Sequence, residues 1–452
     1  MGGTAALKAR VEIHFSTEPR MKQRLQTLIP PAGWFPLAMA ACLLASCGEG
    51  PVARERLVST EHLDSLFVEL DEVEGLEIAS VWRNSRAPDY NRSGDPERGF
   101  TCAEDAALAL VFYCRQHERA PSADSRKRIG SLSRFLWHQQ ADNGYFHNYV
   151  WSGTVINRSH PDSRAEPASW SWRTLWALSE VLALQDPALS DLQQTIKASA
   201  DKLIWALRRY CPAAEEGSAT DCLSETDVRQ AGLLLSGLTN YYRTYPARSV
   251  RRLMEQWAER LVRTAEPDAV EPRQNALREH AERWVAEGTV QADALIRAGL
   301  ALQRSGWIEA GRREVDQFYP MLTDMEGTGG FQDKQAPWGT PTVTIDTFPQ
   351  KSAGIGPMVE AALSAFEATG DTSYAVLGGR LATWFLGNNP AGEVMYDRTT
   401  GRGYEAIEAP RQVNRDAGAA STLAALLALQ AVEACPPALR SMEDARRPAI
   451  AR

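Results

Sequence analysis

The sequence predicts an all-α fold, an (α/α)6 toroid in which six outer/inner helix pairs close into a ring with long loops on one rim. Three observations carry this expectation. Segments with helical patterning run along the whole chain and alternate strictly between an apolar kind and an amphipathic kind. The apolar segments start 66, 57, 66, 60 and 64 residues apart, which is the signature of a repeated two-helix unit. The connections alternate too, between short and long.

The amphipathic segments read as outer helices, each covering a buried neighbour with one face. They fall at about 60–71 (TEHLDSLFVELD), 125–139, 190–210, 248–264 (RSVRRLMEQWAERLVRT), 308–322 and 372–387. The inner helices are apolar almost all round and rich in small residues, so they are expected to be buried. They fall at about 103–116 (AEDAALALVFYCRQ), 169–184, 226–242, 292–304, 352–368 and 416–432 (DAGAASTLAALLALQAV). Thr101-x-x-Glu104 and Ser224-x-x-Asp227 read as capping boxes at two of their starts. Asp293 and Asp416 open two more, where an acid complements the helix dipole.

Inner-to-outer connections are short, roughly 117–124, 185–189, 243–247, 305–307 and 369–371. Outer-to-inner connections are long, roughly 72–102, 140–168, 211–225, 265–291, 323–351 and 388–415. In an up-and-down ring all links of one kind share a rim. Six long loops therefore crowd the N-termini of the inner helices. Loops beyond about 12–15 residues usually carry function, so the candidate site belongs at that rim before any motif is considered.

Composition agrees with a soluble globular body. Apolar residues make up 44% and charged residues 23% of the 452, which excludes collagen-like, coiled-coil and mostly disordered chains. The body holds no long uncharged apolar run, so it is not a polytopic membrane protein. A net charge of −8 argues against a nucleic-acid partner, which needs a basic face. Neither CxxC nor HExxH occurs, so no metal signature is present and no cofactor is expected. A monomer is expected.

The N-terminus reads as an address. Lys22-Gln23-Arg24 precedes an apolar run from Leu28 to Leu44, which ends in Leu44-Ala45-Ser46-Cys47. Basic residues, an apolar stretch and small residues before the cut describe an export signal. The last four match a bacterial lipobox, in which the cysteine is acylated. On this reading residues 1–20 follow a mis-assigned start, 21–46 are the lipoprotein signal, 47–58 tether the lipid to the body, 59–435 form the toroid and 436–452 are a disordered polar tail. Removing residues 1–46 takes away five basic and two acidic residues, so the charge moves from −8 to about −11. An acylated Cys47 would anchor the chain to a bilayer, on the outer membrane or periplasmic face where the cell has one. Cys211 and Cys222 flank a polar loop, PAAEEGSATD, and are expected to pair in an exported protein. Cys102 and Cys114 lie about 18 Å apart along one helix and cannot.

The long loops are rich in aromatic and acidic residues. Tyr145, Phe146, Tyr149 and Trp151 sit in the second, and Trp170, Trp172 and Trp176 follow at the next helix start. Phe331, Trp338 and Phe348 lie in the fifth loop, Tyr396 and Tyr404 in the sixth. Flat apolar faces beside acids and amides suit sugar rings, although the same aromatics could simply pack the loops onto the ring. Carboxylates gather there as well: Glu104, Asp105, Asp227, Asp293, Asp346, Asp397, Glu405 and Asp416. Capping accounts for Glu104 and Asp227 but not for Asp105. His147 and Asn148 stand among the aromatics, and Arg173 is an isolated charge in an apolar helix, where an acidic partner or anionic ligand is expected.

Five segments carry a resemblance. They are GFTCAEDAALAL at 99–110, GYFHNYV at 144–150, WRTLWAL at 172–178, WFLGNNPAGEVMYDRTTGRGYEAI at 384–407 and VNRDAGAAST at 413–422. In order and spacing they resemble GYCTDDNARAL, GxFHNF, GRALWAL, WFLGxN…YDxxTGGCxDGL and VNxNxGAEST of the six-hairpin glycosidase-like superfamily. Within it, the chain is similar to the toroid domain found beside bacterial glycosyltransferases, from about His62 to Leu429. The resemblance implies the toroid and a carbohydrate context, but no settled reaction. Glu104, Asp105, Arg173, Tyr396, Asp397, Glu405 and Asn414 are kept in type. Ser169 and Ala420 stand where relatives carry acids, and Ala106 where they carry Asn.

The expected function is that of an exported, lipid-anchored glycoside hydrolase acting on an envelope or imported glycan. Hydrolysis needs one acid on the leaving oxygen and a second carboxylate to attack or to activate water. Asp105 and Glu405 are the expected pair, with Glu104 beside them. Neither is assigned as acid or base; the helix N-terminus is expected to keep the Asp105 pKa low and favour base or nucleophile work, while Glu405, in a loop with aromatic neighbours, more easily stays protonated. Tyr145, His147, Asn148, Trp151, Trp172, Arg173, Asp227, Trp338, Tyr396, Asp397, Asn414 and Asp416 are the expected substrate contacts. Two alternatives are a non-catalytic glycan-binding lipoprotein, suggested by Ser169 and Ala420, and a polysaccharide lyase using His147, Tyr149 and Arg173 on a uronic acid.

Overall fold

A computed structural model describes residues 56–210, 228–264, 283–285, 290–320, 332–335, 343–346 and 348–446. Cys47, Cys211, Cys222, Asp227 and Trp338 lie outside the described residues. A short helix α1 (Glu61–Leu66) precedes six inner helices: α2 (Ala103–Arg119), α4 (Ser169–Ala183), α6 (Val228–Thr244), α8 (Gln291–Leu302), α10 (Ser352–Thr369) and α12 (Ala419–Ala434). Each is followed by its outer partner: α3 (Ala123–His138), α5 (Ser190–Tyr210), α7 (Arg248–Thr264), α9 (Ser305–Arg313), α11 (Thr372–Ala382) and α13 (Pro436–Arg446). Each inner helix packs on the next, and α12 packs on α2, which closes the ring.

The burial follows the sequence pattern. In α2 and α12 residues on every side are buried, and small side chains let the inner helices crowd together. The outer helices bury one face: α3, for instance, turns Ile129, Leu132, Phe135 and Leu136 inward. Trp172, Trp257 and Trp384 are fully buried in the common core. Among the described residues no single helix is long and apolar enough to cross a membrane.

Two element assignments change. The helix expected over 60–71 stops at Leu66, because Phe67–Glu69 turns extended and pairs antiparallel with Ala79–Val81. The sixth outer helix is instead α13, within the segment expected to be a disordered tail. Two prolines open it, where a missing backbone N–H costs nothing. Ala438 and Met442 are buried, and α13 lies against α11. Gly379 on α11 permits that approach, since a Cβ there would overlap the Ala438 carbonyl.

Short strands tie the long loops to the inner helix starts. Thr101–Cys102 pairs antiparallel with Tyr149–Val150, bringing the second loop onto the head of α2. Gly99, at φ 110°, makes that crossing possible, because a Cβ would overlap the Val150 carbonyl. Gln350–Lys351 pairs with Ala406–Ala409, which pairs in turn with Gln412–Asn414. This hairpin sets Glu405 beside the start of α10, where its carbonyl accepts the Ser352 N–H at 3.0 Å.

Candidate active site

A cavity of about 430 Å³ lies on the ring axis, lined by all six inner helices at the long-loop end. Glu104, Asp105 and Leu108 face it from α2, Arg173 and Trp176 from α4, and Ser236 and Asn240 from α6. Asp293 and Arg297 come from α8, Glu360 from α10, and Ala420 and Ala424 from α12. The loops add Arg83, Asn84, Cys102 and Glu405. Asp105, Glu405, Glu104 and Arg173 thus share one cavity.

The head of α2 differs from the capping box expected. Cys102 is the N-cap, and its Sγ accepts the Asp105 N–H at 3.5 Å. Thr101 instead shares a 2.6 Å hydrogen bond with Ser80. Capping one residue later releases the Glu104 side chain from the expected capping box, and Glu104 and Asp105 both line the cavity. The Glu104 carboxylate lies 3.3 Å from Arg173 Nε, so the isolated arginine has the acidic partner that burial demands. Asp105 Oδ2 lies 3.8 Å from Arg83 Nε, a buried nitrogen that makes no hydrogen bond. Burial raises the Asp105 carboxyl above the ordinary carboxylate range, and the pull of Arg83 does not cancel it. The direction is opposite to the one expected from the helix N-terminus alone.

Deeper along the axis the cavity meets a belt of charge. Arg115 grips both oxygens of Glu360, at 2.6 and 3.3 Å. Arg297 Nε donates to Asp293 at 2.8 Å and to Ser364 at 3.2 Å. Burial alone would raise the Glu360 carboxyl, but the guanidiniums of Arg115 and Arg297 outweigh it and hold it ionised. Glu180 accepts from Trp176 at 3.0 Å and from Asn240 at 2.9 Å.

Solved structures share this architecture. Cellobiose 2-epimerase from Bacillus thermoamylovorans B4167 superposes with a TM-score of 0.58 at 14% identity, over 78% of this chain and 92% of that one. D-mannose isomerase superposes at 0.55 and 13% identity, over 78% and 92%. A family 9 endoglucanase, J30, superposes at 0.50 and 11% identity, over 82% and 78%. These likenesses show the fold, an (α/α)6 toroid. No protein-family model matches the sequence, and no curated protein matches it.

Within this toroid most of the other expected contacts that are described hold the loops together instead of lining the cavity. Tyr396 is fully buried; its hydroxyl accepts the Ser59 N–H at 2.8 Å. Asp397 caps its own turn, accepting from Thr399 N–H at 2.9 Å and from the Thr400 hydroxyl at 2.8 Å. Asp416 precedes α12 instead of opening it and accepts the Ala87 N–H at 3.0 Å, while Asn414 Oδ1 accepts the Asp416 N–H at 3.1 Å. Trp172 is core, with Tyr145 edge-on to it at 6.1 Å between centroids. Asn148 accepts the Glu104 N–H at 3.4 Å and donates to the Asp162 carbonyl at 3.2 Å. His147 is buried on the Ser163 carbonyl at 2.8 Å, and burial lowers its proton affinity. Trp151 stands exposed on the loop.

Arg83, Arg297 and Glu360 line the cavity without having been singled out in the sequence. Arg297 and Glu360 interrupt apolar inner helices just as Arg173 does, so the same signal marks them. Arg83 carries no such mark, because it lies in a loop. Among the described residues no group of three His, Cys, Asp or Glu side chains could hold a metal ion.

Proposed function

We propose that the chain is a carbohydrate-active enzyme, a glycoside hydrolase working in the axial cavity. The observation that carries this reading is the presence of Asp105 and Glu405 in one cavity, with burial favouring the protonated form of Asp105. Asp105 gives its proton to the leaving oxygen as the glycosidic C–O bond breaks. Glu405 attacks the anomeric carbon or takes the proton of the water that does. Asp105 is thus read as the acid and Glu405 as base or nucleophile, the reverse of what the helix N-terminus alone would favour. The structural neighbours, an epimerase of cellobiose, an isomerase of mannose and an endoglucanase, support a sugar substrate. The test is turnover of a panel of glycans by the purified protein and by Asp105→Asn and Glu405→Gln. Unchanged turnover in both variants would overturn the assignment.

A glycan-binding protein without turnover is the second reading. Ala420, which lines the cavity, stands where the resembled family carries an acid, and this favours it. Saturable binding with no product over long incubation would establish it. The lyase alternative is favoured less, since His147 and Tyr149 are not among the cavity residues and burial pushes the Tyr149 phenol up to about 12.

We further propose export and acylation of Cys47, on the strength of the Leu44-Ala45-Ser46-Cys47 sequence after its apolar run. The body would then act close to a membrane surface. Metabolic labelling with a lipid probe should mark the wild type and not Cys47→Ser. A mature N-terminus mapping upstream of Cys47 would defeat this proposal.

A further inference from the structure

The ring axis holds a second cavity, of about 980 Å³, at the opposite end. Asn240 and Arg297 line both, so the belt of charge is the wall between them. Five of the six inner helices supply it: Arg115, Glu180, Asn240, the Asp293–Arg297 pair and Glu360 with Ser364. Its centre is desolvated, with the Arg115 and Glu360 side chains only 15% and 11% exposed. Opening such a wall would leave uncompensated charge in the interior, so it is a fixed partition.

Among the described residues the cavity on the acid side runs inward along the axis as a well. Glu360 lies eight residues below Ser352 at the head of α10, a descent of about 12 Å at 1.5 Å per residue. Asp105 and Glu405 stand at the upper end, the third residue of α2 and the loop beside Ser352. The volume, about 430 Å³, falls low in the range of roughly 300–1,000 Å³ for small-molecule sites.

We propose that the belt makes this well a dead end, so the protein engages a free small saccharide or the terminal unit of a glycan and never an internal stretch. This rests on the carbohydrate reading above. The terminal ring descends below the two acids toward Asn240, Arg297 and Glu360. The bond to the next unit is held at Asp105 and Glu405, and the rest of the glycan leaves through the mouth. An internal unit could not sit in the well, since its chain would need a second exit along the axis, which the belt closes.

The test uses the full chain carrying Asp105→Asn, so that ligands bind without being consumed. Saturation-transfer NMR is recorded with linear β-1,4-linked gluco- and manno-oligosaccharides of graded length, and with ring-closed gluco-oligosaccharides, which have no terminus. The expected result is saturable binding of a linear ligand, transfer strongest in one terminal ring, and no saturable binding of the ring-closed ones. Equal binding of ring-closed ligands, or transfer centred on internal rings, overturns the dead end and leaves the carbohydrate reading standing. Failure of every saccharide to bind removes both.

Discussion

Asp105 is set by burial and by two neighbours, the Cys102 sulfur that accepts its N–H and the Arg83 guanidinium 3.8 Å from its carboxylate. Its position in the chain was legible in the sequence; its proton affinity was not, because that depends on burial and on the loop carrying Arg83. The sign of the pH dependence follows. The folded carboxyl holds its proton more tightly than the unfolded one. Its contribution to stability is therefore full below the ordinary carboxylate range and is lost as pH rises through the raised pKa. Asp105→Asn removes that loss. The variant should melt above the wild type near neutral pH in calorimetry, while kcat falls by about 10²–10⁴. In the wild type, kcat/KM should decline as pH rises through the same raised pKa. A decline only on the acid side would assign the proton donor elsewhere.

Inner and outer helices fail differently when perturbed. In the inner layer the belt couples α2, α8 and α10 through Arg115, Asp293, Arg297 and Glu360. Glu360→Ala leaves Arg115 buried without its bidentate partner and should cost about 3–5 kcal/mol in urea denaturation. The joint replacement Arg115→Met with Glu360→Met should cost distinctly less, because neither charge remains. A double variant as unstable as the single one would show that the pair is not the unit. In the outer layer, Gly379→Ala drives a Cβ into the Ala438 carbonyl and should destabilise the α11–α13 contact by about 1–3 kcal/mol. Its kcat should stay unchanged, since α11 and α13 are absent from the cavity lining. A short one-faced helix such as α13 leaves a weak trace in the sequence; the six apolar helices leave a strong one, which is why they were the more legible.

At the scale of the molecule, the described residues between Arg56 and Arg446 belong to one compact unit. A chain begun at Glu55 should therefore fold, with a helical far-ultraviolet spectrum and a single cooperative melt. A molten spectrum would mean that the preceding residues are needed. The sequence by itself determined the all-α ring, the alternation of buried and covering helices and the end at which the long loops gather. These follow from hydrophobic period and segment spacing, which are local properties of the chain. It also marked Glu104, Asp105, Arg173 and Glu405 as residues of interest. Only the tertiary structure decided which polar side chains face the axis. Tyr396, Asp397, Asn414 and Asp416 are spent on loop turns and backbone amides, while Arg83, Arg297 and Glu360 reach the cavity. The reason is physical: a polar group in a long loop can satisfy its hydrogen bonds on its own backbone or turn toward the site, and that choice depends on distant residues brought near by ring closure.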